Sequence, residues 1–315
     1  MSKPVAIILL NWNTPIHTYN CINSLIANGD NSLFDIIVAD NGSTDGSLQK
    51  LRSQFPDLLF IDNQYNLGFA EGNNKAIQFS IDKGYAYSLL LNNDTETEED
   101  LVQKLLEHLQ NHPEAAAVQP AIYWLHDKAK LWNGEGHYNA FTGKIYSITK
   151  QRNTTHKYTP VQWLTGCCML VRNSVLEKGG AFNKQFFLYY EDVELSFRIR
   201  AEGHELHYLP AATLYHEAGA SGQLPSREKE GTLSPVIHYY VSRNHIWFLR
   251  RFGNPLYYPL MVLFNAPYYL GLLCYFMLRG RSKKAKFLIK GIKDGFSTPE
   301  KVIWPKINHI ATINP

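Results

Sequence analysis

The sequence lacks any CxxC pair. Cys21, Cys167, Cys168 and Cys274 are all the cysteine it has, and their spacing frames neither a zinc site nor a redox dithiol. Reduced, mostly buried thiols are therefore expected. Net charge is also scarce: 31 Lys and Arg against 28 Asp and Glu leave +3, too little to drive nucleic-acid binding. No long low-complexity tract argues for extended disorder, and a hydrophobic share of 45% with 19% charged residues fits a folded chain. The apolar run at residues 5–10 has only Lys3 before it and lacks the length and cleavage region of a secretion signal. It reads as a first buried strand, and a cytoplasmic protein is expected.

What is present is an alternation of strand and helix patterns, and 315 residues suit one large α/β domain plus a C-terminal extension. Compact apolar runs at 5–10, 36–39, 58–61 and 88–91 read as buried parallel strands. Helical patterns fall between and after them, at 14–27, 47–55, 70–83 and 98–111, the last ended by His112-Pro113. A further strand is expected at 118–123, a polar loop at 150–160, and a helix from Glu191 through Arg200. With right-handed crossovers, the polar loops after the parallel strands fall along one sheet edge, where open α/β sheets bind ligands.

Four polar clusters belong to that edge. Asn11-Trp12-Asn13-Thr14 and the segment from Asp40-Asn41-Gly42-Ser43 to Ser47 offer amide, hydroxyl and carboxylate groups suited to a base and a ribose. Asn66-Leu67-Gly68 precedes a helix whose N-terminus suits an anionic diphosphate, with Gly68 allowing close backbone approach. Asn92-Asn93-Asp94 brings a carboxylate to the same edge, where a hard divalent cation takes oxygen ligands and keeps positions for phosphate. Each cluster alone has the composition of an ordinary turn; four along one edge read as a ligand crevice. Glu191-Asp192 opens its helix where the dipole favours an acid. Like-charge repulsion from Glu191 and Glu194 should raise the pKa of Asp192, with Arg198 opposing, and Phe186, Phe187, Tyr189 and Tyr190 should wall a pocket.

In this order the segments resemble the inverting family-two nucleotide-sugar glycosyltransferases, and within them the bacterial rhamnosyltransferase-like branch. The motifs that carry the resemblance are NWN, DNGSTDGS, NLGFAEGNN, LLLNND, TGCCMLVR and FFLYYEDVELSFR, spread over residues 4–250. The resemblance implies a GT-A type α/β fold with a mainly parallel central sheet over residues 1–250. Its nucleotide-sugar-binding half is about 1–115 and its acceptor-binding half 116–250, with a C-terminal helical apolar extension at 251–315. It implies that Asp40 contacts the nucleotide base, with Asn11, Asn13, Asn41, Gly42, Ser43, Asn66, Gly68, Asn92 and Asn93 around the nucleotide. NND takes the place of the DxD motif, so Asp94 becomes the principal metal ligand, and His216 completes the metal or diphosphate site. Asn92 stands where the DxD form has its first acid, leaving the site one negative charge short. Arg243 and Asn244 are implied at the donor diphosphate, Asp192 as general base beside Glu191, and Tyr189, Tyr190 and Glu194 at the acceptor. The expected cofactor is a divalent cation, Mg2+ or Mn2+. The expected donor is a dTDP- or UDP-linked sugar, rhamnose favoured, and the acceptor a hydroxyl of a glycan or lipid-linked chain in surface polysaccharide synthesis.

Residues 255–278 are apolar and aromatic, contain Pro259 and Pro267, and are flanked by Arg250-Arg251 and by Arg279, Arg281, Lys283, Lys284 and Lys286. Their length approaches a bilayer span, but the prolines and tyrosines fit an in-plane or re-entrant hairpin. Peripheral attachment to the cytoplasmic membrane face is therefore expected. Helices packed on the catalytic domain, or on a second subunit in an oligomer, stay open. So do two other classes, a sugar-nucleotide nucleotidyltransferase and a non-catalytic sugar-nucleotide- or lipid-binding subunit. The lack of a Gly-rich, Arg- and Lys-bearing triphosphate loop near the N-terminus counts against the first.

Overall fold

The computed structural model describes residues 3–150, 157–219, 230 and 233–304, so most of the polar loop expected at 150–160 lies outside the described residues. The chain divides into two compact units. One comprises Met1–His137, Ser147–Lys184 and Glu191–Ser221; the other comprises Tyr138–Tyr146, Gln185–Tyr190 and Gly222–Pro315.

The first unit opens with β1 (Val5–Asn11), α1 (Pro15–Asn28), β2 (Phe34–Asp40), α2 (Ser47–Gln54), β3 (Leu59–Asp62), α3 (Gly68–Asp82), β4 (Tyr87–Asn92), β5 (Thr95–Thr97) and α4 (Leu101–Asn111). The expected alternation is thus present. Next come β6 (Ala115–Trp124) and β7 (Leu131–Asn133), followed in the chain by a small paired β8 (Gly136–Asn139) and β9 (Lys144–Ser147), most of whose residues belong to the other unit. β10 (Thr159–Pro160), β11 (Cys168–Arg172), α5 (Asn173–Gly179), α6 (Glu191–Ala201) and β12 (Glu205–His216) complete the first unit.

The main sheet runs β10-β12-β6-β11-β4-β1-β2-β3, with β5 on β12 and β7 on β6. β1 pairs in parallel with both β2 and β4, and β6 with β12, while β11 runs antiparallel between β4 and β6. The sheet is mainly parallel. Strand order reverses at β1, whose neighbours β2 and β4 follow it on opposite sides, so the loops after β1 and β4 open the crevice typical of a topological switch point. Both faces are covered: Val5, Ile7 and Leu9 of β1 enter one apolar cluster, and Ala6 and Ile8 the other. That burial on two sides is why β1, β2 and β4 read as unbroken apolar runs; β3, at the end of the strand order, is not the buried strand expected at 58–61, because it has a neighbour on one side only. Cys21, Cys167 and Cys168 are buried free thiols and Cys274 an exposed one.

The second unit holds α7 (Pro235–Phe252), α8 (Tyr258–Leu278), α9 (Ser282–Ser297) and α10 (Glu300–Ile303). It takes in residues 235–250, which the sequence reading placed with the catalytic domain. The reason is close packing of α7 on α9: a Cβ on Gly291 would collide with Ser242 Oγ, and one on Gly295 would lie 2.9 Å from Ile246 Cβ. Phe186, Trp247, Ile303 and Trp304 form an apolar cluster of this unit. The re-entrant hairpin is corrected to one continuous helix. Pro259 lies in the first turn of α8, where its missing N–H costs nothing, and the helix continues through Pro267 at the loss of one interior hydrogen bond.

Candidate active site

In the first unit, the loops that end β1, β2 and β4 are joined by one chain of side-chain hydrogen bonds. Asn93 Nδ2 donates to Thr18 Oγ1 at 2.7 Å, Thr18 Oγ1 to Asn11 Oδ1 at 2.8 Å, and Asn11 Nδ2 to Asp40 Oδ1 at 2.7 Å. Asp40 Oδ2 accepts the Ser43 amide at 2.9 Å, and Asn13 Oδ1 accepts the Thr44 amide at 2.8 Å. The loop before α3 joins through Asn41, whose Nδ2 donates to Asn66 Oδ1 at 3.2 Å and to the Gly68 carbonyl at 3.1 Å. Asn66 Oδ1 also accepts the Gly68 amide at 2.8 Å.

The structure therefore brings these sequence-predicted residues together, and it gives several of them structural duties. Asn11, Asp40 and Asn41 are buried and satisfied by neighbouring loops. Gly42 has φ +72°, and any Cβ there would run into the Tyr65 backbone, so glycine is required by a crossing of chains. Thr14, part of the first polar cluster, and Thr18, which that cluster did not include, both accept from Asn93. Their spacing of four on the first turns of α1 was the available signal, since it puts both hydroxyls on one face.

At the end of β4, the buried Asp94 meets the last residue of β12. His216 Nε2 lies 3.0 Å from Asp94 Oδ1 and 3.4 Å from Asn92 Nδ2, with the Trp132 ring edge-on to the imidazole at 4.4 Å. His216 Nδ1 is buried without a hydrogen-bond partner. A carboxylate oxygen and an imidazole nitrogen converging this closely form a donor pair that fits a divalent cation with open positions for phosphate and water.

Asp192, on the first turn of α6, is held by the turn that enters β11. Its Oδ2 accepts the Gly166 amide at 3.0 Å and its Oδ1 accepts the Val193 amide at 2.8 Å. Gly166 itself is crowded, because a Cβ there would lie 3.0 Å from the Phe69 ring and 3.6 Å from Asp192 Cβ. The TG of the TGCC motif is thus the cradle of this carboxylate, a duty the sequence did not reveal. Burial raises the pKa of Asp192, while hydrogen bonds from the Gly166 and Val193 amides pull the other way. Glu191 is buried, its Oε2 has no hydrogen-bond partner, and burial followed by the charge of Asp192 pushes its pKa well up. Burial, not like-charge repulsion, is thus the leading cause for Asp192.

Four of the expected residues carry structural hydrogen bonds. Glu194 is fully buried and both of its oxygens accept from Arg198, at 2.9 and 3.0 Å. Arg198 is spent there too, so it does not oppose the acids of the first turn. In the second unit, Arg243 donates to the Gln185 and Phe186 carbonyls, and its guanidinium stacks 4.0 Å from the Trp247 ring centroid. Asn244 Nδ2 donates to the carbonyls of Phe186, Leu188 and Tyr189 at 2.7–2.9 Å. The pair clamps the segment that leads into α6, where Phe187, Tyr189 and Tyr190 all have positive φ. Of the four aromatics, Phe186 is a core residue, Phe187 stacks on Tyr240, and Tyr190 stacks on His245.

The family model described as Glycosyl transferase family 2 matches residues 7–180. The chain is 26% identical over 233 residues to the N-acetylglucosaminyl-diphospho-decaprenol L-rhamnosyltransferase of Mycobacterium tuberculosis, a match covering 67% of this chain and 76% of that one. It is 22% identical over 258 residues to the dTDP-rhamnosyl transferase RfbF of Shigella flexneri, covering 81% and 83%. Its fold is similar to that of GalNAc-T7, solved with UDP, GalNAc and Mn2+, with a TM-score of 0.61 at 14% identity, covering 91% of this chain and 54% of that one.

Proposed function

The chain belongs to glycosyl transferase family 2 and is a glycosyltransferase, and we propose that it moves a sugar, rhamnose favoured, from a nucleoside-diphosphate donor to a hydroxyl of a glycan or lipid-linked acceptor in surface polysaccharide synthesis. The observation that carries this reading is the convergence of Asp94 and His216 at the sheet edge where the linked loops after β1, β2 and β4 meet. The names of the two relatives favour rhamnose, and that of the second favours a dTDP-linked donor.

The reaction is a direct displacement with inversion, without a covalent enzyme intermediate. Asp192 accepts the proton of the acceptor hydroxyl as that oxygen attacks the anomeric carbon and the nucleoside diphosphate departs. The two amides fix the carboxylate, and burial lifts its pKa toward the operating pH, which improves it as a base. Burial and the charge of Asp192 raise the pKa of Glu191 beside it, which favours a single negative charge on the pair. Asp94 and His216 would hold the divalent cation, which when bound would neutralise charge on the leaving diphosphate. The imidazole tips this donor set toward Mn2+ over Mg2+, which takes oxygen ligands.

A donor panel read by product mass, with and without chelator, tests the reading. Transfer from dTDP-rhamnose that chelation abolishes and Mn2+ restores is the expected result, and His216→Ala should raise the Mn2+ needed for half-maximal rate at least about 10-fold. Pyrophosphate release would point instead to a nucleotidyltransferase, and no turnover of any donor would overturn the assignment.

The membrane surface is the proposed second partner, on the cytoplasmic face. α8 exposes Leu263, Phe264, Leu270 and Leu278, and its basic flank includes Arg279, Arg281 and Lys283. Within its own unit one side of α8 is tied down by Asn265 to the Thr142 carbonyl, Tyr269 to His245, and Phe276 against Leu288. A helix fastened along its length to a polar body suits lying in the interface better than crossing it. The protein should sediment with anionic vesicles and less with neutral ones, and 0.5 M salt should weaken this by screening. Leu263→Asp with Phe264→Asp should release it; equal sedimentation by that variant would count against a membrane role.

A further inference from the structure

Three histidines and two glutamates gather in the first unit at the opposite sheet edge, where α4 ends and β6 and β12 begin. His112, Glu114 and His207 each offer a ligand atom, and these lie within 4.8 Å of one another. His112 Nδ1 is 2.8 Å from Glu114 Oε1, and His207 Nε2 is 2.9 Å from Glu205 Oε2. The other nitrogen of His207 is 2.9 Å from His108 Nε2, and the Tyr158 ring stacks on the His207 ring at 4.5 Å. His207 is fully buried, whereas His112 and Glu114 stand toward the rim.

We propose that His112, Glu114 and His207 form a structural site for a zinc-like divalent transition-metal ion, with Glu205 at its margin and His108 orienting His207. The chemistry favours zinc over magnesium, because two imidazoles with a carboxylate suit zinc while magnesium takes oxygen ligands. Tetrahedral bonds of about 2.0–2.1 Å place ligand atoms roughly 3.3 Å apart, so a pair at the 4.8 Å limit would close by about 1.5 Å. A metal-bound histidine usually engages its second nitrogen with a fixed partner, and His108 supplies one to His207. The site is separate from the Asp94 pair: the β6 partners of His207 and His216, Val118 and Trp124, are six residues apart, roughly 20 Å at the rise of a strand. Bound metal would staple the end of α4 to the starts of two core strands.

Chelator-stripped full-length protein, dialysed against Zn2+ with excess Mg2+ present, should retain one equivalent of zinc. Its thermal midpoint should rise by about 5 °C or more at hundredfold excess over Kd. The rim variants His112→Ala and Glu114→Gln should weaken retention at least about 10-fold with an unchanged far-ultraviolet spectrum, while His216→Ala retains zinc. Co2+ in place of zinc should give the intense visible bands of a tetrahedral site in the wild type and not in His112→Ala. No retained zinc, or zinc held equally by His112→Ala, would leave the cluster a hydrogen-bonded network at a helix C-terminus and overturn the proposal. Loss only in His216→Ala would assign the ion to the other site and overturn it as well.

Discussion

Asp192→Asn is expected to lower kcat for sugar transfer by roughly 10²–10⁴-fold while leaving donor binding and the unfolding midpoint close to wild type. Asparagine keeps the shape and one oxygen for the Gly166 amide, and removes the capacity to take a proton together with the oxygen that accepts the Val193 amide. The wild-type pH profile carries the second half of this prediction. Asp192 must be ionised to act, and burial raises its pKa, so kcat/KM should rise with pH through an apparent pKa above the ordinary aspartate value of about 4. Glu191→Gln imitates the protonated neighbour and should keep most of the activity. Its stability effect has a definite sign. A raised folded-state pKa contributes stability that is fully present below the unfolded pKa of about 4.3 and is lost as pH rises through the folded value. Glu191→Gln should therefore gain stability relative to wild type on going from pH 5 to pH 8. Undiminished transfer by Asp192→Asn, at matched enzyme concentration, would remove Asp192 from the mechanism.

Arg198→Ala should destabilise the first unit by about 3–5 kcal/mol in denaturant unfolding, because it strands the buried Glu194 carboxylate without its partner. The guanidinium spends every donor: two on Glu194 and the others on the carbonyls of Gly179, Gly180 and Ala181 at 2.5–2.7 Å. Arg198→Lys should recover little, since an ammonium cannot reproduce the planar fork. Glu194→Gln with Arg198→Met should be less damaging than Arg198→Ala, because no uncompensated charge is left inside. A cost below about 1 kcal/mol for Arg198→Ala would mean that the pair is solvated in the working protein.

The sequence pattern makes the first half of the sheet legible because three parallel strands are buried on both faces and stop at a polar turn, as 5–10, 36–39 and 88–91 do. Composition could not say whether a polar residue in those turns faces a ligand or a neighbouring loop. Asp40 and Asn41 illustrate this: both suit nucleotide recognition by type, and both hold loops together. Arg243 and Asn244 show the same ambiguity, since their donors can serve a phosphate or a set of backbone carbonyls, and the fold delivers the carbonyls of residues 185–189.

The sequence alone determined the α/β alternation, the edge where ligands gather, the family, and the candidates Asp94, His216 and Asp192, because motif order and apolar periodicity are local properties of the chain. Tertiary structure alone decided which polar groups are already satisfied. It put Glu194 in a buried ion pair, cradled Asp192 on Gly166, left Glu191 Oε2 unpartnered, and assembled His112, Glu114 and His207 from distant segments. Hydrogen-bond satisfaction and desolvation depend on which atoms meet across the fold, and sequence separation carries no record of that.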